Sequence, residues 1–211
     1  MPNLGINQQQ KYLSSSTLFT NLLFFSILVT GMQKKVLSEI DLYIDTVQVI
    51  KIDRAKIKND ILNSFAFEKR LSKNKKDYSY QDWEVPFSKP LQWLKDYLRD
   101  HFRVESHRTL VGKKEWGNVY NPHESSYTRH QVDPIYLKDA PDYTCLYGLD
   151  VAQDSCELVI EYDDNRRKNR TWHIPLEDNQ FIIFPSTQRY FISQNKSKQM
   201  NIFLTMTYEY I

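Results

Sequence analysis

From Thr109 to Ile211 apolar and polar residues alternate in short runs, and clusters of turn-forming residues separate most of the runs. Strict alternation is the mark of strands with one face in a core. The pattern predicts strands at Thr109–Val111, Glu115–Asn121, Ser126–His130, Tyr143–Val151, Cys156–Tyr162, Arg170–Pro175, Gln180–Pro185, Tyr190–Ser193 and Met200–Tyr210. Turns fall at Asn121-Pro122, Asp139–Asp142, Gln153–Ser155, Asp163–Asn169, Glu177–Asn179 and Ser193–Ser197. So many short strands, with helical spacing confined to the first half, predict a mainly β chain with N-terminal helices (α+β). The architecture expected is a double-stranded β-helix of the jelly-roll, cupin-like kind. A chain of 211 residues, 41% hydrophobic and 14% aromatic, holds enough apolar surface for one such core.

The first half supplies supports for that barrel. Ile40–Ile52 alternates like a strand, and Asp53 stands as an N-cap before Ala55, Ile57, Ile61, Leu62 and Phe65, which predicts a helix over about 53–66. Ser88 and Pro90 open a second helix, about 90–102, with Leu91, Leu94, Tyr97, Leu98 and Phe102 on one stripe. Between the helices, residues 69–80 are basic and polar, as a solvated connection is. The most apolar run is 16–32. It is short of the roughly 20 residues of a spanning helix and contains Asn21. A signal peptide needs a basic start, and Lys11 is the one early charge. Composition changes at Met32, so 1–31 reads as a leader, weak anchor or disordered extension, and 32–211 as a single domain. Membrane contact would arise only where 16–32 is retained.

Charge excludes some partners. Lys and Arg number 28 against 26 Asp and Glu, a net +2, which gives no electrostatic footprint for specific nucleic-acid binding. The mixed-sign tip from Asp163 to Arg170 is a solvated turn by the same reasoning. No phosphate-binding glycine loop, nucleophile elbow or HExxH occurs. Cys145 and Cys156 are too few for a thiolate zinc site and read as two reduced, buried thiols. That composition fits a cytoplasmic location, including the cytoplasm of an infected host cell.

What remains for chemistry is a small set of histidines. His130 lies at a strand end with Asp133 three residues on, and a histidine with a carboxylate begins a two-His-one-carboxylate metal site. In a regular strand, positions i and i+3 point to opposite faces. The pair meets one ion only if the chain turns after His130, and Pro134 restricts Asp133 to an extended or turn conformation. Spacing alone favours the plainer reading, a surface histidine followed by an Asp-Pro turn. His123 and His173 are the replacements within reach of the same strands, while His101 and His107 belong to the end of the second helix. Tyr120, Tyr127, Tyr136, Tyr143 and Tyr147 either line a pocket or pack in the core.

Several of these elements together resemble the 2-oxoglutarate/Fe(II)-dependent oxygenase superfamily, in particular its small prolyl-hydroxylase-like members from bacteriophages. Trp116–Tyr120 corresponds to the aromatic first strand and His130 to the first ligand. Leu146-Tyr147-Gly148-Leu149 corresponds to the next strand, and Pro175–Ser186, ending in FPS, to the pair that follows, with Asn179 in a glycine's place. The resemblance spans about Thr109 to Ile211. It implies Fe(II) and 2-oxoglutarate as cofactors, with His130 and Asp133 as metal ligands. It implies Tyr120, Tyr147, Lys198 and Gln199 near the oxoglutarate. Two positions depart from it. The distal histidine is expected four residues after Ser186, where Tyr190 stands, and the arginine position falls at Lys198 to Met200. A phenol, with a pKa of about 10, is a poor third ligand for ferrous iron. Two functions follow: an oxygenase hydroxylating a protein side chain or small metabolite, or a non-catalytic binding or virion-associated module with a degenerate metal site.

Overall fold

The computed structural model of the chain describes residues 40–48, 52–71, 83–128, 137–165 and 168–211. Within them the order is β1 (Tyr43–Thr46), α1 (Arg54–Leu71), β2 (Trp83–Glu84), α2 (Lys89–Ser106) and β3 (Leu110–Tyr120). There follow β4 (Tyr143–Asp150), β5 (Glu157–Asn165), β6 (Lys168–Pro175), β7 (Gln180–Pro185), β8 (Arg189–Ile192) and β9 (Asn201–Tyr210). The strands make a larger sheet, β1-β7-β4-β9-β3-β2, and a smaller one, β6-β5-β8, and the pairings among these strands are antiparallel. No helix here is long and apolar enough to cross a membrane; the run at 16–32 lies outside the described residues.

Both helices form for reasons visible in their ends. The Asp53 carboxylate accepts from the Lys56 amide at 2.9 Å and caps α1. Ser88 caps α2 with extended backbone, accepting from the Leu91 amide at 3.4 Å, and Pro90 occupies the first turn. His107 ends α2 in the left-handed region, φ 58°, its amide bonded to the Arg103 carbonyl at 3.0 Å. The helices run longer than the sequence pattern predicts, to Leu71 and Ser106. Ile57 and Ile61 of α1 and Leu91, Leu94, Leu98 and Phe102 of α2 are buried against one face of the larger sheet. The approach is close. A Cβ on Gly117 of β3 would lie 2.4 Å from Ile61 Cγ2, so glycine is what lets α1 seat on the strand.

The opposite face of the larger sheet meets the smaller sheet. Tyr120, Leu146, Ile182, Phe184 and Phe203 from one side pack with Leu158, Ile160, Tyr190 and Ile192 from the other. The larger sheet therefore divides two cores. Its central strands β4 and β9 are covered on both faces, and their residues are buried almost without interruption.

Several predicted elements differ in detail. Thr109–Val111 and Glu115–Asn121 form the single strand β3, because pairing with β9 passes through a bulge between Gly112 and Lys114. Residues 126–128 of the predicted Ser126–His130 strand are not strand; Ser126 still exchanges bonds with Ile192, at 3.0 Å from its amide and 2.6 Å to its hydroxyl. Ile40–Ile52 contracts to Tyr43–Thr46 within the described residues. Cys145 and Cys156 are free and buried, and they belong to different cores. Burial pushes the Cys145 thiol well up.

Candidate functional site

The register of the larger sheet fixes what lines the barrel. Trp116 lies opposite Thr205, Thr205 opposite Leu146, and Leu146 opposite Ile182. On one side of that row Asn118 faces Phe203; on the other, Thr207 faces Thr144 and Thr144 faces Phe184. Alternation puts these side chains on the face turned toward β5 and β8, since Tyr120, Leu146, Phe184 and Phe203 pack there. The lining is apolar with neutral polar groups set into it. Thr205 Oγ1 donates to Asn118 Oδ1 at 2.6 Å, and the Thr144 and Ser186 hydroxyls share a bond of 2.8 Å. Thr207 Oγ1 donates to the Lys114 carbonyl at 3.4 Å. Trp116 Nε1 is buried without a hydrogen-bond partner among the described residues. All five hydroxyl and amide residues are buried.

The residues singled out from sequence separate. His130 and Asp133 lie outside the described residues. Tyr190 is 4% exposed, opposite Ile160 on β8, its ring 5.1 Å from that of Phe184 at 72°. It is a wall residue of the barrel core. Tyr120 sits in the same core with its ring 5.9 Å from Phe203. Tyr147 is not beside them. It faces the helices, where its hydroxyl donates to Asn179 Oδ1 at 2.7 Å and the Arg54 guanidinium lies 5.9 Å from its ring. Burial, outweighing that cation, pushes the Tyr147 phenol up to about 12. Alternation places Tyr147 and Leu146 on opposite sides of the sheet, which is why Tyr120 and Tyr147 do not meet.

Lys198 and Gln199 precede β9 in an exposed bend. Asn195 holds that bend, its Nδ2 donating to the Gln199 carbonyl at 2.7 Å and the Tyr120 carbonyl at 3.2 Å. The last strand itself, NIFLTMTYEY, carries no lysine or arginine. At its start Asn201 is fully buried, donating to Ser155 Oγ at 2.8 Å and accepting from the Ala152 amide at 3.1 Å. His173 points away from the barrel, exposed and 2.9 Å from Glu157 Oε2, and His123 is exposed in a turn with φ 69°. The lining residues that sequence reading missed are Asn118, Thr144, Thr205 and Thr207. Only the strand register reveals that they share one wall.

One backbone feature was marked in the sequence, on the helix side of the sheet and outside the barrel. Asn179, standing where the resemblance has glycine, has φ 63° in the β6–β7 turn. That left-handed backbone admits glycine freely and asparagine more readily than most residues. The side chain then spans two elements, accepting from Tyr147 and donating to the Val47 carbonyl at 2.7 Å.

No protein-family model matches the chain, and no curated protein matches it. Solved structures do. A prolyl hydroxylase from Trichoplax adhaerens, in complex with a hypoxia inducible factor oxygen degradation domain peptide fragment, is similar at a TM-score of 0.55 and 11% identity, covering 96% of this chain and 94% of that one. The viral collagen prolyl hydroxylase of Paramecium Bursaria Chlorella virus-1, in its 2OG complex, gives 0.53 and 12%, covering 79% of this chain and 94% of that one. SnoK, a non-heme alpha ketoglutarate dependent carbocyclase from nogalamycin biosynthesis, gives 0.56 and 8%, covering 81% and 79%. The chain thus has the double-stranded β-helix fold of the 2-oxoglutarate/Fe(II)-dependent oxygenases.

That fold implies iron and oxoglutarate, and the described wall does not fit them. Ferrous iron needs imidazole or carboxylate donors, and oxoglutarate carries two negative charges that call for a cation. The inward positions offer hydroxyls, an amide, an indole and hydrocarbon. Among the described residues no histidine, lysine or arginine is buried, and the one buried carboxylate, Asp60, is on α1, paired with Lys56.

Proposed function

We propose that this chain is a binding module on the oxygenase scaffold, with a barrel that does not run iron-dependent oxygenation. The observation that carries this reading is Tyr190. At the position where the resemblance expects the distal ligand, an aromatic ring is packed edge-on against Phe184 inside the core. The cation-free last strand supports the same reading. A neutral, hydroxyl-lined wall suits an uncharged polar ligand or purely structural packing, and its binding partner is a protein or small molecule, not a specific nucleic acid. Cytoplasmic and virion-associated roles both accommodate such a module.

A second reading has the fold likeness behind it: an oxygenase that hydroxylates a protein side chain or small metabolite, with iron held by His130 and Asp133. One experiment separates the two. The purified chain is incubated with Fe(II), ascorbate and 2-oxoglutarate, and succinate is measured beside titrations of iron and oxoglutarate binding. The binding-module reading expects no succinate above the protein-free control and no saturable oxoglutarate binding. Succinate release that His130→Ala abolishes would establish the oxygenase.

A further inference from the structure

A groove of about 330 Å³ lies on the helix side of the larger sheet, beneath the C-terminal half of α2. Two rows of the β1–β7 pair form its bottom. Tyr43 lies opposite Ile183, and Asp45 opposite Phe181. His101, Phe102 and Glu105 overhang these rows from α2, sharing one helical face by their spacing. The barrel core is on the far side of the same strands, where Ile182, the partner of Ile44, packs.

Aromatic rings make most of the walls. The Tyr43 and Phe102 rings meet edge to face, centroids 4.9 Å apart at 68°, and the His101 and Phe181 rings do so at 5.7 Å and 88°. Tyr97 stacks on His101 at 5.5 Å and 15°, which fixes the imidazole plane. Phe102, Phe181 and Ile183 are buried, whereas Tyr43 and His101 are half-buried and reach the opening. The faces of such rings are negative and attract cations.

The rim adds carboxylates. Asp45 is held at both oxygens, Oδ2 lying 2.9 Å from His101 Nε2 and Oδ1 accepting from the Thr46 amide at 2.7 Å. Its charge is therefore fixed in place. Glu105, one turn after His101, is exposed and joins no ion pair among the described residues. Burial, and after it the nearby Asp41, raises the Tyr43 phenol against the opposing pull of Arg108. That guanidinium is engaged elsewhere, over the Tyr210 ring at 5.1 Å and with the Tyr143 hydroxyl.

We propose that this groove binds an alkylated ammonium group, seated against the rings of Tyr43, Phe102 and Phe181 with the carboxylates of Asp45 and Glu105 beside it. A primary ammonium needs acceptors for its three protons, which rings supply poorly. An alkylated one needs none; its methyl groups lie on the rings, and ring faces and carboxylates together meet its charge. The volume is at the small end for ligand pockets and admits a headgroup-sized molecule. A bare metal ion fits less well, since no three His, Cys, Asp or Glu side chains converge to hold one among the described residues. The groove lies outside the barrel, so failure here leaves the reading of the barrel untouched.

The test is a proton NMR titration of the full chain with choline, with its uncharged isostere in which carbon replaces the nitrogen, and with end-blocked trimethyllysine. Choline is expected to bind saturably with a Kd of about 1 mM or tighter, its methyl signal moved upfield by the surrounding rings. The uncharged isostere should bind more weakly by about tenfold or more. Tighter binding of trimethyllysine than of choline supports the site and assigns the group to a protein side chain; the reverse order supports it and assigns the group to a free small molecule. Glu105→Gln, at an exposed position, should weaken choline by about threefold. Tyr43→Leu should weaken it by about tenfold, with circular dichroism showing that each variant keeps the fold. No saturable choline binding, equal binding of the uncharged isostere, or a Kd unchanged by Glu105→Gln and Tyr43→Leu alike would overturn the proposal.

Discussion

Asn179 is where backbone conformation, packing and family pattern meet, and its replacement by alanine and by glycine separates their contributions. Alanine removes the acceptor of the Tyr147 hydroxyl and the donor to the Val47 carbonyl, while keeping a Cβ at φ 63°. Each hydrogen bond is worth about 1 kcal/mol net, and holding a Cβ in the left-handed region costs roughly 1 kcal/mol or somewhat more. Asn179→Ala loses both bonds and keeps the strain that the parent's own Cβ already carries, so it should lower stability by about 2 kcal/mol. Asn179→Gly loses the same two bonds but relieves that strain, and should cost about 1 kcal/mol. The measurement is urea unfolding followed by tryptophan fluorescence and circular dichroism, with unchanged m-values required so that the midpoints compare. Tyr147→Phe in the glycine background should add little, since the bond it removes is already gone. If alanine and glycine prove equally destabilising, the left-handed backbone is not what selects this residue. A loss below about 1 kcal/mol for alanine would mean that the two bonds contribute almost nothing.

Further outcomes follow from the packing. Tyr190→His should cost about 2 kcal/mol, because a polar ring replaces an edge-packed aromatic in the barrel core, and should yield no succinate from oxoglutarate; iron-dependent turnover in that variant would show that the remaining site is intact. Gly117→Ala should destabilise by about 1–3 kcal/mol through the clash with Ile61, and the same change in an Ile61→Ala background should cost much less, as a double-mutant cycle in urea would reveal. The Tyr147 phenol, raised from 10 to about 12, favours the folded state while protonated. Its contribution is whole below pH 10, falls as pH rises through that window, and is gone above about pH 12. Stability curves from pH 9 upward should decline more steeply for the parent than for Tyr147→Phe, and parallel curves would refute the assignment.

Much of the architecture was legible because its signals are local. Gln180–Pro185 carries four apolar residues between a turn and a proline, and the strand has those same limits. Ser88 and Pro90 announced the start of α2. The predicted strands stop at Val111 and resume at Glu115, yet pairing with β9 carries through Gly112 as a bulge, which no local pattern distinguishes from a break. The barrel wall was hidden for a different reason. On β4 and β9 both faces are buried, so alternation of polarity vanishes and Thr144, Thr205 and Thr207 look like any β-branched strand residues. Which of them face the lumen depends on register, a property of paired strands and not of either alone. His173 illustrates the same point in reverse. Its neighbour Ile174 packs toward the barrel, and that parity sends the imidazole to solvent.

The larger sheet, with helices on one side and the barrel on the other, assigns adjacent residues of β9 to separate chambers. Ile202, Leu204 and Met206 grip the helices, while Phe203, Thr205 and Thr207 furnish the lumen. A lineage can therefore refit the interior of the barrel, exchanging charge for hydroxyl or ligand for ring, while every alternate residue goes on anchoring the scaffold.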